Sequence, residues 1–125
     1  MKFKLNEPPR VFTVGRAEKF NVKDCGQIEL KPNEQITFKT ESGSEYDVAR
    51  KEWGYYATPS LNARLTSFGL RTALIKNEES KRYYIFLVEK DKEKDFQNYI
   101  KVHGSKLICW MDNDEDLSKI ERLMK

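Results

Sequence analysis

The run Arg82-Tyr83-Tyr84-Ile85-Phe86-Leu87-Val88 restricts the fold more than any other stretch of this chain. Successive side chains of a strand point to opposite faces, so a half-buried strand alternates apolar with polar residues, whereas here both sets of positions are apolar. The run therefore predicts a central strand covered on both sides. It follows Thr72-Ala73-Leu74-Ile75 and the turn residues Asn77-Glu78-Glu79-Ser80, which makes it the returning strand of a hairpin.

Two helices are available as cover. Asp91 to Val102 places Phe96, Tyr99 and Ile100 at helical spacing, with Gly104 as a stop. The last segment, after Asp112-Asn113-Asp114, sets Leu117, Ile120, Leu123 and Met124 on one stripe. Its acids come first and Arg122 and Lys125 last, as the helix dipole prefers. Between these helices Lys106-Leu107-Ile108-Cys109-Trp110 reads as a short buried strand.

The first half reads as hairpins. Ile36-Thr37-Phe38-Lys39 and Glu45-Tyr46-Asp47-Val48 alternate on either side of Glu41-Ser42-Gly43-Ser44, and predict a core face of Ile36, Phe38, Tyr46 and Val48. Gln27-Ile28-Glu29-Leu30 is a strand that stops at Lys31-Pro32-Asn33-Glu34. One short strand is expected around Val11-Phe12-Thr13-Val14, with Pro8-Pro9 as an edge or connector because neither proline has an amide donor. No repeat or low-complexity linker divides the 125 residues, so one domain over 1–125 is expected. The expected class is α+β: a largely antiparallel sheet or partly closed small barrel of about six strands, a short central helix and two C-terminal helices.

That short helix lies in WGYYATPSLNARLTSFG, Trp53 to Gly69. Thr58-Pro59 is a helix start, Leu61, Leu65 and Phe68 fall on one face, and Gly69 ends it. Left over are Trp53, Tyr55, Tyr56, Ser60, Asn62 and Arg64. An arginine fork fits phosphate or carboxylate and aromatic faces stack on bases or sugars, so these six are the candidate ligand-binding residues, for a nucleotide or a phosphosugar. The competing reading makes the aromatics scaffold and pairs Arg64 with a surface acid.

Other chemistry is poorly represented. His103 is the single histidine, and Cys25 and Cys109 lie far apart, so neither a zinc site nor a Cys-His catalytic pair is expected and both thiols should be free. Asp112 to Asp116 resembles a calcium loop, but Leu117 stands where glycine is needed and Leu123 where glutamate is needed. No glycine-rich phosphate loop, nucleophile elbow or dinucleotide fingerprint occurs, so no cofactor is called for. The charge is mild, 23 Lys and Arg against 20 Asp and Glu, and acids interrupt the basic clusters, unlike the one-sided footprint of a nucleic-acid binder. Single-stranded nucleic acid stays open through the aromatic Arg82–Phe86 strand alone. No apolar run of about 7–15 residues follows Lys2 and Lys4, which predicts no secretory signal, no membrane span and a cytoplasmic protein.

The pattern Trp53-Gly54-Tyr55-Tyr56-Ala57-Thr58-Pro59-Ser60, with Asn62, Arg64-Leu65 and Gly69 through Asn77, resembles one found in a family of small bacterial proteins, some of which accompany surface-carbohydrate assembly. The resemblance spans about Gly26 to Trp110 and carries no assigned activity and no catalytic residues. It implies a bacterial, cytoplasmic accessory role. The hairpin-rich first half also resembles small barrels such as cupins, without the histidines of their metal site. Three readings follow: a non-catalytic binding or accessory module for a small anionic ligand or protein partner, a small enzyme of sugar-nucleotide or phosphosugar metabolism, and a homo-oligomer built on exposed aromatics.

Overall fold

The computed structural model describes residues 1–15 and 18–125. Strands β1 (Lys2–Val14) and β2 (Phe20–Glu29) form a two-stranded antiparallel ribbon. A three-stranded meander follows, of β3 (Gln35–Lys39), β4 (Glu45–Lys51) and β5 (Gly54–Ala57). After α1 (Arg64–Ser67), a third sheet with order β7-β6-β8 is built from β6 (Leu70–Asn77), β7 (Tyr83–Glu89) and β8 (Ser105–Trp110). A 3-10 turn at Lys90–Lys92 leads into α2 (Glu93–Val102), and α3 (Asp114–Leu123) ends the chain. The protein is α+β with antiparallel sheets, and among the described residues none closes into a barrel.

The ribbon is longer than the expected short strand. Its ladder breaks between Leu5 and Arg10, where the prolines cannot donate, and then resumes with Arg10 opposite Asp24. A two-stranded ribbon is marginal in water and needs support. At one end the Met1 ammonium meets Glu34 at 3.0 Å, and at the other the Phe20 ring packs edge-on against Tyr99 and His103.

Both expected internal hairpins form, with Ile36 opposite Val48, Phe38 opposite Tyr46 and Lys76 opposite Tyr83. The placement of the apolar run differs from expectation. β7 is an edge strand, and the central strand of its sheet is β6. The core consists of Ala73 and Ile75 of β6, Val88 of β7, and Phe96 and Ile100 of α2, so α2 covers one face. α3 buries none of its residues, and its stripe ends in exposed Leu123 and Met124. One helix short of the expected cover, β7 leaves Tyr83, Tyr84, Ile85 and Leu87 in solvent.

α1 also begins later than Thr58-Pro59 suggests. Ser60 Oγ accepts from the Arg64 amide at 2.8 Å, while the Thr58 hydroxyl is buried without a partner. Leu65 is fully buried and anchors the turn. Gly69 then leaves the helix at φ +87°, a conformation that disfavours side chains, and a β-carbon there would lie 3.0 Å from Ser44 Oγ. Gly69→Ala is expected to cost about 1–3 kcal/mol in urea unfolding. An unchanged midpoint would show that this turn relaxes freely.

Candidate functional site

The six residues singled out in the sequence do not converge. Trp53 sits in the tight β4–β5 turn, where Lys51 pairs with Gly54, and is 74% exposed. Tyr55 and Tyr56, 64% and 48% exposed, are successive residues of β5 and face opposite sides. Ser60 is spent on the Arg64 amide, and Asn62 donates to Asp114 Oδ1 at 2.7 Å, which brings a carboxylate to the proposed anion site. The Arg64 guanidinium lies 5.3 Å from the Phe68 ring centre, with no ion-pair partner among the described residues. Opposite Tyr55 in the ladder, Arg50 carries a buried Nη1 without a hydrogen bond.

A wide concavity lies elsewhere and contains none of the six. It is an open groove of about 790 Å³. Phe38 and Tyr46 line one wall, Phe86, Leu87 and Val88 of β7 the other, and Phe96 and Tyr99 of α2 the floor. Phe38, expected in the core, is thus half exposed at the groove. Phe86 packs edge-on against Phe96, which fixes that wall to α2.

A carboxylate knot closes one end of the groove. Oε1 of Glu89 accepts from the Thr40 hydroxyl at 2.7 Å, from the Ser44 hydroxyl at 2.8 Å and from the Ser42 hydroxyl. Thr40 in turn receives the Ser44 amide, so the β3–β4 turn is folded around the acid. The three hydroxyls, with Lys92 nearby, lower the Glu89 pKa to about 2. A carboxylate so stabilised is a weak base, poorly matched to proton transfer near neutrality. Its geometry is that of a clasp joining two sheets.

Arg71 makes a second brace, missed in the sequence. It grips Asp112 through Nε and Nη2 at 2.6 and 3.2 Å, reaches Glu93 at 3.0 Å and stacks on Trp110 with 3.9 Å to the ring centre. Hydrogen bonding to Asp112 holds the guanidinium firmly charged. With both acids engaged, this cluster ties β6 to α2 and to the exit of β8.

The groove is bordered by unpaired backbone. The Arg82 carbonyl accepts from Asn77 and the Lys90 amide donates to Gly69, which sets the even residues of β7 towards β6. By the alternation of an antiparallel ladder, Tyr83, Ile85 and Leu87 aim their amides and carbonyls outward. The strand has no bulge, no proline and no charged residue between Tyr83 and Val88. Because Tyr83 and Tyr84 occupy opposite faces, they do not form one stacking platform for bases.

Among the described residues no group of three or more His, Cys, Asp or Glu side chains could hold a metal ion, and no helix is long and apolar enough to cross a membrane. Both cysteines are free, and burial together with Asp116 pushes the Cys109 thiol up, away from the reactive thiolate. No protein-family model, curated protein or solved structure matches the chain.

Proposed function

We propose that the protein is a non-catalytic binding module that takes an extended segment of a protein partner as an added strand on β7 and seats its apolar side chains in the adjacent groove. One observation carries this reading: an apolar, unprotected strand edge borders an apolar concavity. Such an edge is a template for strand addition, with backbone hydrogen bonds supplying affinity and side-chain pockets supplying selectivity. The weak basicity of Glu89 favours binding over proton-transfer chemistry. An accessory role is also what the resemblance of the Trp53–Ser60 stretch implies.

Selection of a phage-displayed random peptide library on the immobilised protein tests it. Enriched peptides should alternate apolar residues and lose at least about tenfold in affinity for Leu87→Lys, since one mispaired charge in a desolvated groove costs more than 1.4 kcal/mol. No enrichment, or binding indifferent to Leu87, overturns the reading.

A second reading keeps a small anionic ligand, a nucleotide or phosphosugar, near Trp53, Tyr55, Tyr56 and Arg64. It is favoured by the unpaired Arg64 and by the buried Nη1 of Arg50 opposite Tyr55. A thermal-shift screen of nucleotides, sugar nucleotides and sugar phosphates distinguishes the two, because a site ligand should raise the midpoint of wild type and not of Arg64→Ala.

A further inference from the structure

We infer that the strand added to β7 is β7 of a second copy of this chain, joined about a two-fold axis at Ile85 to make a continuous six-stranded sheet. The inference rests on the strand-addition reading above and names its partner. Two antiparallel strands related by a two-fold axis normal to the sheet place residues of the same parity opposite each other, so only a few registers are open. Centred on Ile85, the ladder sets Tyr83 against Leu87 of the partner subunit and Tyr84 against Phe86 of the partner subunit.

This register meets two requirements at once. Ile85, Tyr83 and Leu87 are the outward-facing residues of β7, so both strands present their free amides and carbonyls to each other. Aromatic and branched side chains meet across the strands on both faces. Moving the axis to Phe86 would set Arg82 against Lys90, cation against cation.

The surface available also suits a second copy. Exposed Tyr83, Tyr84, Ile85 and Leu87, with Phe38 at the groove, present on the order of 600 Å² per chain, which places a symmetric pair near the lower limit of specific interfaces. The partner's Tyr83, seated beside Leu87, enters the groove next to Phe38. A dimer of this size should dissociate in the micromolar range.

Sedimentation equilibrium of the whole chain, from about 1 to 200 µM, is the test. The mass should rise from 14.8 kDa towards twice that value. Ile85→Lys brings two ammonium groups together at the axis, and Leu87→Lys sets a charge against Tyr83 of the partner subunit at both ends; each should raise the dissociation constant at least about tenfold. Both positions are exposed, and unchanged circular dichroism and melting show that the monomer is intact. A wild type that remains at 14.8 kDa throughout, or a dimer that ignores both substitutions, overturns the inference. A monomeric wild type that still selects strand-forming peptides refutes only the second copy as partner; one that selects none removes the strand-addition reading as well.

Discussion

Leu65→Ala should destabilise the protein by about 3 kcal/mol, within the range of wholly buried leucines truncated to alanine. For a domain of this size that is a drop of about 10 °C in melting temperature and a large share of a total stability of about 5–15 kcal/mol. Leu65 is singled out because α1 spans only four residues and could not persist alone. Its apolar anchor and the Ser60 hydroxyl on the Arg64 amide hold the turn in place. Downstream, the same turn delivers Gly69, whose carbonyl accepts from Lys90 and whose missing β-carbon leaves room for Ser44. Losing Leu65 should therefore also raise amide exchange at Lys90, not only in α1. Urea unfolding checks the first effect, with exposed Ser67→Ala as a control expected within about 0.5 kcal/mol of wild type. A Leu65→Ala cost below about 1 kcal/mol would mean that the site collapses around the smaller side chain and that α1 is held elsewhere.

Much of this architecture is legible in the sequence because the relevant forces are local. Alternation places the β3–β4 and β6–β7 hairpins in register, and Gly104 marks the end of α2. Asn113, ahead of three acids, caps α3 by accepting from the Glu115 and Asp116 amides. What stays hidden depends on sums over the whole chain. The pattern of β7 reports that both faces are apolar, but whether two layers exist to cover them depends on α3, whose stripe buries nothing. Pro8-Pro9 reads as an interruption and the β1–β2 ladder does break there, yet β1 continues and pairing resumes with Arg10 opposite Asp24. Tyr55 and Tyr56 look like a lead into a helix and form an edge strand, β5.

The site was the least legible part. Asn62 with Asp114, and Glu89 with Thr40, Ser42 and Ser44, are side-chain contacts between residues more than 40 positions apart. Spacing carries no trace of them. The one sequence clue to the groove was the excess of apolar residues in β7, read there as a sign of burial; in the structure the excess faces solvent.

Acidification should expose the second large effect, at Glu89. Its carboxyl is held at about 2 in the folded protein against an ordinary value of 4.5, chiefly by the hydroxyl of Ser42, then those of Thr40 and Ser44. A depressed carboxyl stabilises the fold fully above the unfolded pKa, and that contribution is lost as protons bind while the pH falls towards the folded value. The window therefore runs from about pH 5 down to about pH 2. Glu89→Gln keeps an acceptor oxygen but not the charge, so its urea midpoint should lie below that of wild type near neutrality. The gap should narrow through the window, since wild type alone loses this contribution. Glu34, also lowered by the Lys31 amide and the Met1 ammonium, titrates in both proteins and leaves the difference unaffected. The clasp joins the β3–β4 turn to the end of β7, so the same acidification should loosen the wall carrying Phe38 and, with it, the strand binding proposed above. Midpoints that stay parallel from neutrality to about pH 2 would mean that the three hydroxyls do not discriminate between the acid and its anion, and that the clasp does not fix this end of the groove.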